Sequence, residues 1–187
     1  MINTNEFKTG VTITFDSNVY EVMEFQHVKP GKGGAFVNAK LKNLRTGAII
    51  PYTFNAGVKV ETAQIDKCEM NYLYDEGDKA VFMNNETYEQ IEIPKEQIAN
   101  ELQFLTMGKN VNIKMYMGEV LGVALPDKVV LEVTETPPGE KGNSATNVQK
   151  EALLETGIRI RVPLFINNGD KIVVNTTTGK YDTRYKE

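Results

Sequence analysis

Lys29-Pro30-Gly31-Lys32-Gly33-Gly34-Ala35-Phe36 joins two stretches, residues 19–28 and 35–43, whose apolar and β-branched content reads as strand. Glycines on both sides of Lys32 remove side-chain bulk and permit positive φ. The backbone can therefore turn sharply, and another molecule can come close to it. Alone, the segment also fits an ordinary hairpin turn with a solvated lysine. Its surroundings say more: between residues 25 and 60 there is no Asp or Glu, while Lys29, Lys32, Lys40, Lys42, Arg45 and Lys59 are all basic. The expectation is a β-hairpin arm with a cationic, one-sign surface.

Short strand-like runs separated by turn signals continue on both sides of the arm. The N-terminal part reads as strands at 11–15, 19–28, 35–43 and around Thr53-Phe54, with turns at Asp16-Ser17-Asn18 and Arg45-Thr46-Gly47, which makes a small twisted sheet or partial barrel. A second set follows at 69–74, 79–83 and 88–93. After Pro94, Ile98, Leu102 and Leu105 stand at helical spacing and Gly108 lies where a helix would stop, so a helix is expected over 95–105. Strand patterning returns at 111–116 and 120–125. Five or so strands and one helix form the parts list of an OB-type barrel. The third part reads as a strand at 129–133, a Thr136-Pro137-Pro138-Gly139 turn, a polar loop as far as Thr156, and strands at 158–162, 164–166 and 171–175. It also suits a small barrel, and no residue-level repeat links it to the second.

The chain has 187 residues, 41% of them hydrophobic, enough for one large or several small domains. Its net charge of -4 is unevenly spread: +2 over residues 1–63, -6 over 64–128 and 0 over 129–187. An acidic protein with a locally basic arm can steer that arm onto phosphates while its acidic middle discourages indiscriminate binding to RNA. No apolar run has the length of a membrane span, and the first residues lack the basic and apolar regions of a secretion signal. A cytoplasmic protein with no membrane association is expected. Cys68 is the single cysteine, and its strand pattern makes it a reduced, packed thiol.

Catalytic constellations are absent from the pattern. His27 is the single histidine, and neither it nor Cys68 belongs to a metal-spacing or nucleophile motif, so no metal and no enzyme are expected. The Lys32 loop lacks the Ser or Thr after lysine and the following helix that a phosphate-cradling loop needs. Glu86, Glu89, Glu92 and Glu96 have the spacing of solvated faces. Near the C-terminus, Tyr181 and Arg184 place a ring and a guanidinium three residues apart, a pair able to stack on a base or clamp a phosphate.

Two separated motifs carry a family likeness. The first is the Lys32 segment followed by Leu44-Arg45-Thr46-Gly47. The second comprises Glu155-Thr156-Gly157, Val162-Pro163-Leu164-Phe165-Ile166, Gly169-Asp170 and Gly179-Lys180-Tyr181-Asp182-Thr183-Arg184. In order, separation and total length the whole chain resembles bacterial translation elongation factor P. The resemblance implies a mainly β protein of three small β-barrel domains, an SH3-like N-terminal domain over 1–63 and two OB-fold domains over 64–128 and 129–187, in an L-shaped, tRNA-mimicking arrangement. It further implies a monomer that binds both ribosomal subunits between the peptidyl-tRNA and exit sites, contacts peptidyl-tRNA and rRNA, and promotes peptide bond formation at consecutive prolines.

By the same resemblance Lys32 is the tip near the peptidyl transferase centre. Lys29, Pro30, Gly31, Gly33, Gly34, Lys40, Lys42, Arg45, Tyr181 and Arg184 are the matching tRNA- or rRNA-binding positions. Family members extend the tip residue with a lysyl-type group, a rhamnose on arginine or an aminopentanol group on lysine. Lysine at position 32 excludes the arginine chemistry, and the glycine-rich loop is similar to those carrying aminopentanol; a lysyl-type addition by a Lys32-modifying enzyme and an unmodified lysine are the alternatives. No cofactor is implied. The stretch over 142–149 departs from the family pattern, because its later glycines and acidic residue are missing. That leaves open whether the loop approaches the exit-site codon. The competing readings are a paralogue of the same fold with another regulatory target and a general OB-fold RNA-binding protein.

Overall fold

The computed structural model describes residues 1–140 and 148–187, so residues 142–147 of the departing loop lie outside the described residues. The chain forms two compact units, residues 1–68 with 113–122 and residues 69–112 with 123–187.

Six strands, β1 (Ile2–Asn3), β2 (Thr12–Phe15), β3 (Asn18–Val28), β4 (Phe36–Asn43), β5 (Ile49–Asn55) and β6 (Lys59–Thr62), make one sheet in the order β1-β6-β2-β3-β4-β5. Alternation decides which face is buried. Along β4, Val37, Ala39 and Leu41 turn inward to join Phe7, Ile13, Val22 and Phe54, while Asn38 and Lys40 face solvent. Phe7 meets Phe54 edge to face at 5.4 Å between ring centres. The β2–β3 connection is a two-residue turn with positive φ at Asp16 and Ser17, the backbone hand that matches strand twist. Asp at such a site is common, because it tolerates the left-handed region.

Five further strands are β7 (Asp66–Glu76), β8 (Lys79–Asn84), β9 (Gln90–Pro94), β10 (Asn110–Tyr116) and β11 (Glu119–Ala124), ordered β11-β10-β7-β8-β9. Cys68 lies on β7 and is half-buried. The expected helix over 95–105 is much reduced. A 3-10 turn covers Lys95–Ile98, and a single α-turn, α1, covers Ala99–Leu102. Neither has a capping side chain, and Ile98 departs from helical geometry at φ -122 and ψ 27. An uncapped segment this short does not repay the cost of nucleating a longer helix. Of the three residues at helical spacing, Ile98 and Leu105 still bury their side chains and Leu102 is half-buried; Phe104, outside that spacing, is buried as well.

The last sheet contains β12 (Lys128–Glu135), β13 (Gln149–Leu154), β14 (Arg159–Pro163), β15 (Lys171–Asn175) and β16 (Tyr181–Arg184), ordered β14-β13-β12-β15-β16. Strands β14 and β16, at opposite ends of that order, approach one another, so the sheet curls toward closure around Leu131, Val133, Leu154, Val162, Ile172 and Val174. Strand β13 replaces the final part of the expected polar loop. Lys150, Ala152 and Leu154 all turn to the core side, and the lysine disguises the alternation. Its stem is buried, and its Nζ donates to the Pro137 carbonyl at 2.7 Å. The expected strand over 164–166 is instead a turn following Pro163, in which the Ile166 N–H donates to the Pro163 carbonyl at 3.2 Å.

Candidate functional site, a lysine-tipped arm

Beyond Val22, β3 runs on with β4 beside it, and β5 flanks β4 on its far side as far as the row Val28, Phe36 and Asn55. The register slips between Val22 and Glu24, leaving Met23 as a bulge that bends the strand where the arm begins. From Val22 to Val28 the arm extends roughly 20 Å at the usual strand rise. The connection 29–35 caps it, and Lys29, Pro30, Gly31, Lys32, Gly33 and Gly34 are all exposed.

Among the described residues, Lys32 makes no hydrogen bond or ion pair. The glycines beside it are not equivalent. Gly33 has φ +105, a conformation that L side chains rarely adopt. Gly31 and Gly34 have no such φ, and a Cβ on either would meet nothing within 4 Å. Nothing in the chain's own geometry calls for glycine at 31 or 34. What their small size leaves is open backbone at the tip.

The cationic surface expected from the acid-free run is only partly realised, because strand pairing brings carboxylates from outside that run. Lys40 Nζ lies 2.9 Å from Glu24 Oε2. Lys42 is paired in register with Glu21. Arg45, in the β4–β5 turn, donates from Nε to Glu119 Oε1 at 2.9 Å, from Nη2 to Glu119 Oε2 at 3.0 Å and from Nη1 to the Ser17 carbonyl at 2.8 Å. The Glu119 hydrogen bond raises the guanidinium pKa above its ordinary value. Lys29 and Lys32 are left without such a partner among the described residues. One-dimensional reading also missed a polar row across the arm, in which Asn38 lies opposite both Gln26 and Thr53 and the Thr53 hydroxyl donates to Asn38 Oδ1 at 2.8 Å.

Tyr181 and Arg184 belong to the other unit, on β16. Residues three apart on a regular strand point to opposite faces. Here the pairing slips: Tyr181 opposes Val174, Thr183 opposes Val173 and Arg184 opposes Ile172. The bulge therefore returns Tyr181 and Arg184 to one face of the sheet. Tyr181 packs on the C-terminal core, and burial raises its phenol pKa, with the Arg184 backbone N–H and charge pulling the other way. The Arg184 guanidinium reaches Asp170 at 3.2 Å and stays half exposed. Among the described residues, no group of three His, Cys, Asp or Glu side chains is placed to hold a metal ion.

Family models match in three successive segments: the elongation factor P KOW-like domain over residues 3–60, the elongation factor P OB domain over 65–123 and the elongation factor P C-terminal domain over 129–184. Elongation factor P of Phytoplasma australiense is 55% identical over 185 residues, covering 98% of each chain. Among solved structures, eukaryotic translation initiation factor 5A from Methanococcus jannaschii superposes with a TM-score of 0.52 at 26% identity, covering 66% of this chain and 92% of that one. The family models extend over both motifs, the Lys32 arm and the β16 strand. This mainly β chain belongs to the elongation factor P family of translation factors.

Proposed function

We propose that the chain binds the ribosome between the peptidyl-tRNA and exit sites and promotes peptide bond formation at consecutive prolines by holding peptidyl-tRNA in place. The observation that carries this reading is the unpartnered Lys32 at the end of a three-stranded arm, in a loop whose flanking glycines leave the backbone open. Proline is a poor partner in the reaction, because its ring fixes φ and its secondary amine is badly placed for attack. A device that restrains the other substrate lowers the entropic cost of alignment, and each tenfold gain in rate requires about 1.4 kcal/mol. Lys32 is then neither acid, base nor nucleophile. It reaches and holds, with peptidyl-tRNA and rRNA as its partners and the cytoplasm as its place of work.

The three family models fall within 1–63, 64–128 and 129–187, which supports those spans as the functional domains. An aminopentanol-type extension of Lys32 by a dedicated enzyme fits the open loop, with a lysyl-type group as the alternative. Tryptic peptide mass from the native host reads this directly, since a blocked cleavage at Lys32 accompanies the added mass. The functional test is a Pro-Pro-Pro reporter in a translation system depleted of this factor. Wild type restores synthesis and Lys32→Ala does not; equal rescue by the variant would remove the tip from the mechanism.

A further inference from the structure

The stretch after β12 carries Thr136-Pro137-Pro138-Gly139, and Pro137 and Pro138 are the one adjacent pair among the seven prolines of the sequence. Its backbone is held from several sides. The Thr136 N–H donates to Asn168 Oδ1 at 2.7 Å, and the Thr136 hydroxyl donates to the Glu151 carbonyl at 2.9 Å. Lys150 Nζ donates to the Pro137 carbonyl, and the Glu140 N–H donates to the Pro138 carbonyl at 3.0 Å. Gly139 lies so close to the Leu164 carbonyl that a Cβ there would collide with it.

None of these restraints uses a proline ring. Both prolines are exposed, and what positions 137 and 138 supply is two carbonyl oxygens, which every residue carries. Proline also stiffens the unfolded chain, but that return is small and does not require two in a row. During synthesis the pair has a definite chemical cost. The Pro138 amine, carried on its tRNA, must attack the ester carbonyl that joins Pro137 to peptidyl-tRNA. A C–N bond forms, the ester C–O bond breaks, and the amine proton ends on the released ribose hydroxyl. Both partners are proline, so a ring fixes φ in the donor and the nucleophile is a secondary amine.

Resting on the functional reading above, we infer that Pro137-Pro138 acts in the synthesis of this chain rather than in its fold, and makes the nascent chain a target of the finished one. Ribosomes translating its message pause where Pro137 is joined to Pro138, and the folded factor releases them through Lys32. Output of the factor then rises with the amount already present. The feedback is positive, so a depleted cell recovers slowly at first and faster as the factor accumulates.

The test translates the full-length message in the same depleted system as the Pro-Pro-Pro reporter and maps where ribosomes stand on it. Without added factor they accumulate with the Pro137 codon in the peptidyl-tRNA site, and early full-length yield falls about tenfold. Purified wild-type chain removes the pause, and Lys32→Ala does not. A Pro138→Ala message is translated without a pause whether or not factor is added. The purified Pro138→Ala chain keeps its thermal midpoint within about 3 °C of wild type, since no restraint of the stretch uses that ring. Smooth passage of the wild-type message without factor, a pause that added factor leaves in place, equal relief by Lys32→Ala, or a collapsed midpoint in Pro138→Ala overturns the inference. In each of these cases rescue of the Pro-Pro-Pro reporter by the wild-type chain alone keeps the functional reading intact. Failure of that reporter rescue overturns the functional reading and this inference with it.

Discussion

Arg45 and Glu119 meet through a forked pair of hydrogen bonds at 2.9 and 3.0 Å, and the remaining arm of the guanidinium holds the Ser17 carbonyl at 2.8 Å. One side chain thereby fastens the β2–β3, β4–β5 and β10–β11 turns of the same compact unit. Beneath them lie Val19, Leu44, Ala63 and Leu121. The geometry uses what distinguishes arginine from lysine, several donors in a fixed plane. Arg45→Lys keeps the charge and cannot make all three contacts, so it lowers the thermal midpoint, and Arg45→Ala lowers it further. Glu119→Gln lowers it in the same direction, and a double-mutant cycle shows strong non-additivity. Additive effects would dissolve the claim that Arg45 works as a fastener.

Two glycines respond oppositely to alanine. A Cβ on Gly139 would collide with the Leu164 carbonyl oxygen and stand 3.2 Å from the Leu164 Cβ. Backbone cannot give way as a flexible side-chain end can, so Gly139→Ala costs about 1–3 kcal/mol in urea unfolding. Gly31→Ala meets open space and changes stability by no more than about 0.5 kcal/mol. It nonetheless impairs Pro-Pro-Pro reporter rescue, because the cost falls on the approaching molecule.

Alkaline pH exposes a buried phenol. Tyr72 is 3% exposed, stacks on Phe82 at 5.0 Å and donates its hydroxyl to Asp75. Burial, then the Asp75 hydrogen bond and charge, raise its pKa above the ordinary 10.0. Below pH 10 both folded and unfolded chains keep this proton. Above it the unfolded chain releases the proton while the folded chain retains it, so the contribution to stability declines as pH rises. Thermal midpoints followed from pH 9 to 12 fall less steeply for Tyr72→Phe than for wild type; parallel curves would contradict the assignment.

Lys150→Met tests a lysine that behaves as a core residue. Methionine keeps the buried stem and removes the hydrogen bond to the Pro137 carbonyl. The expected loss is about 1–2 kcal/mol in chemical denaturation, typical of a bond made by a charged donor. A stabilised variant would mean that desolvating the amine costs more than the bond returns.

Strands were legible wherever alternation was written in plainly apolar residues, as in β3, β4, β8 and β10. It failed at β13, where Lys150 occupies a core-facing position, and at 164–166, where apolar side chains decorate a turn. The spacing of Ile98, Leu102 and Leu105 revealed apolar positions but not the backbone, since burial of Ile98 and Leu105 is compatible with a broken helix. At the site, the loop and its lysine could be read in one dimension. Charge could not: the partners of Lys40 and Arg45 lie 16 and 74 residues away, and register alone brings them together. The Tyr181 and Arg184 pair was visible as spacing, yet it shares a face only because β16 slips by one residue.

Because β5 flanks β4 as far as Phe36 and Asn55, the arm is three strands wide almost to its end. The distance at which Lys32 is presented is thus set like the length of a gauge, by the number of paired rows rather than by the slack of a loop. Removing one opposed pair of residues from each strand would retract the tip by about 7 Å while keeping every face in register. A longer side chain at position 32 could make up part of that distance, so strand length and tip chemistry are two adjustable parts of one reach.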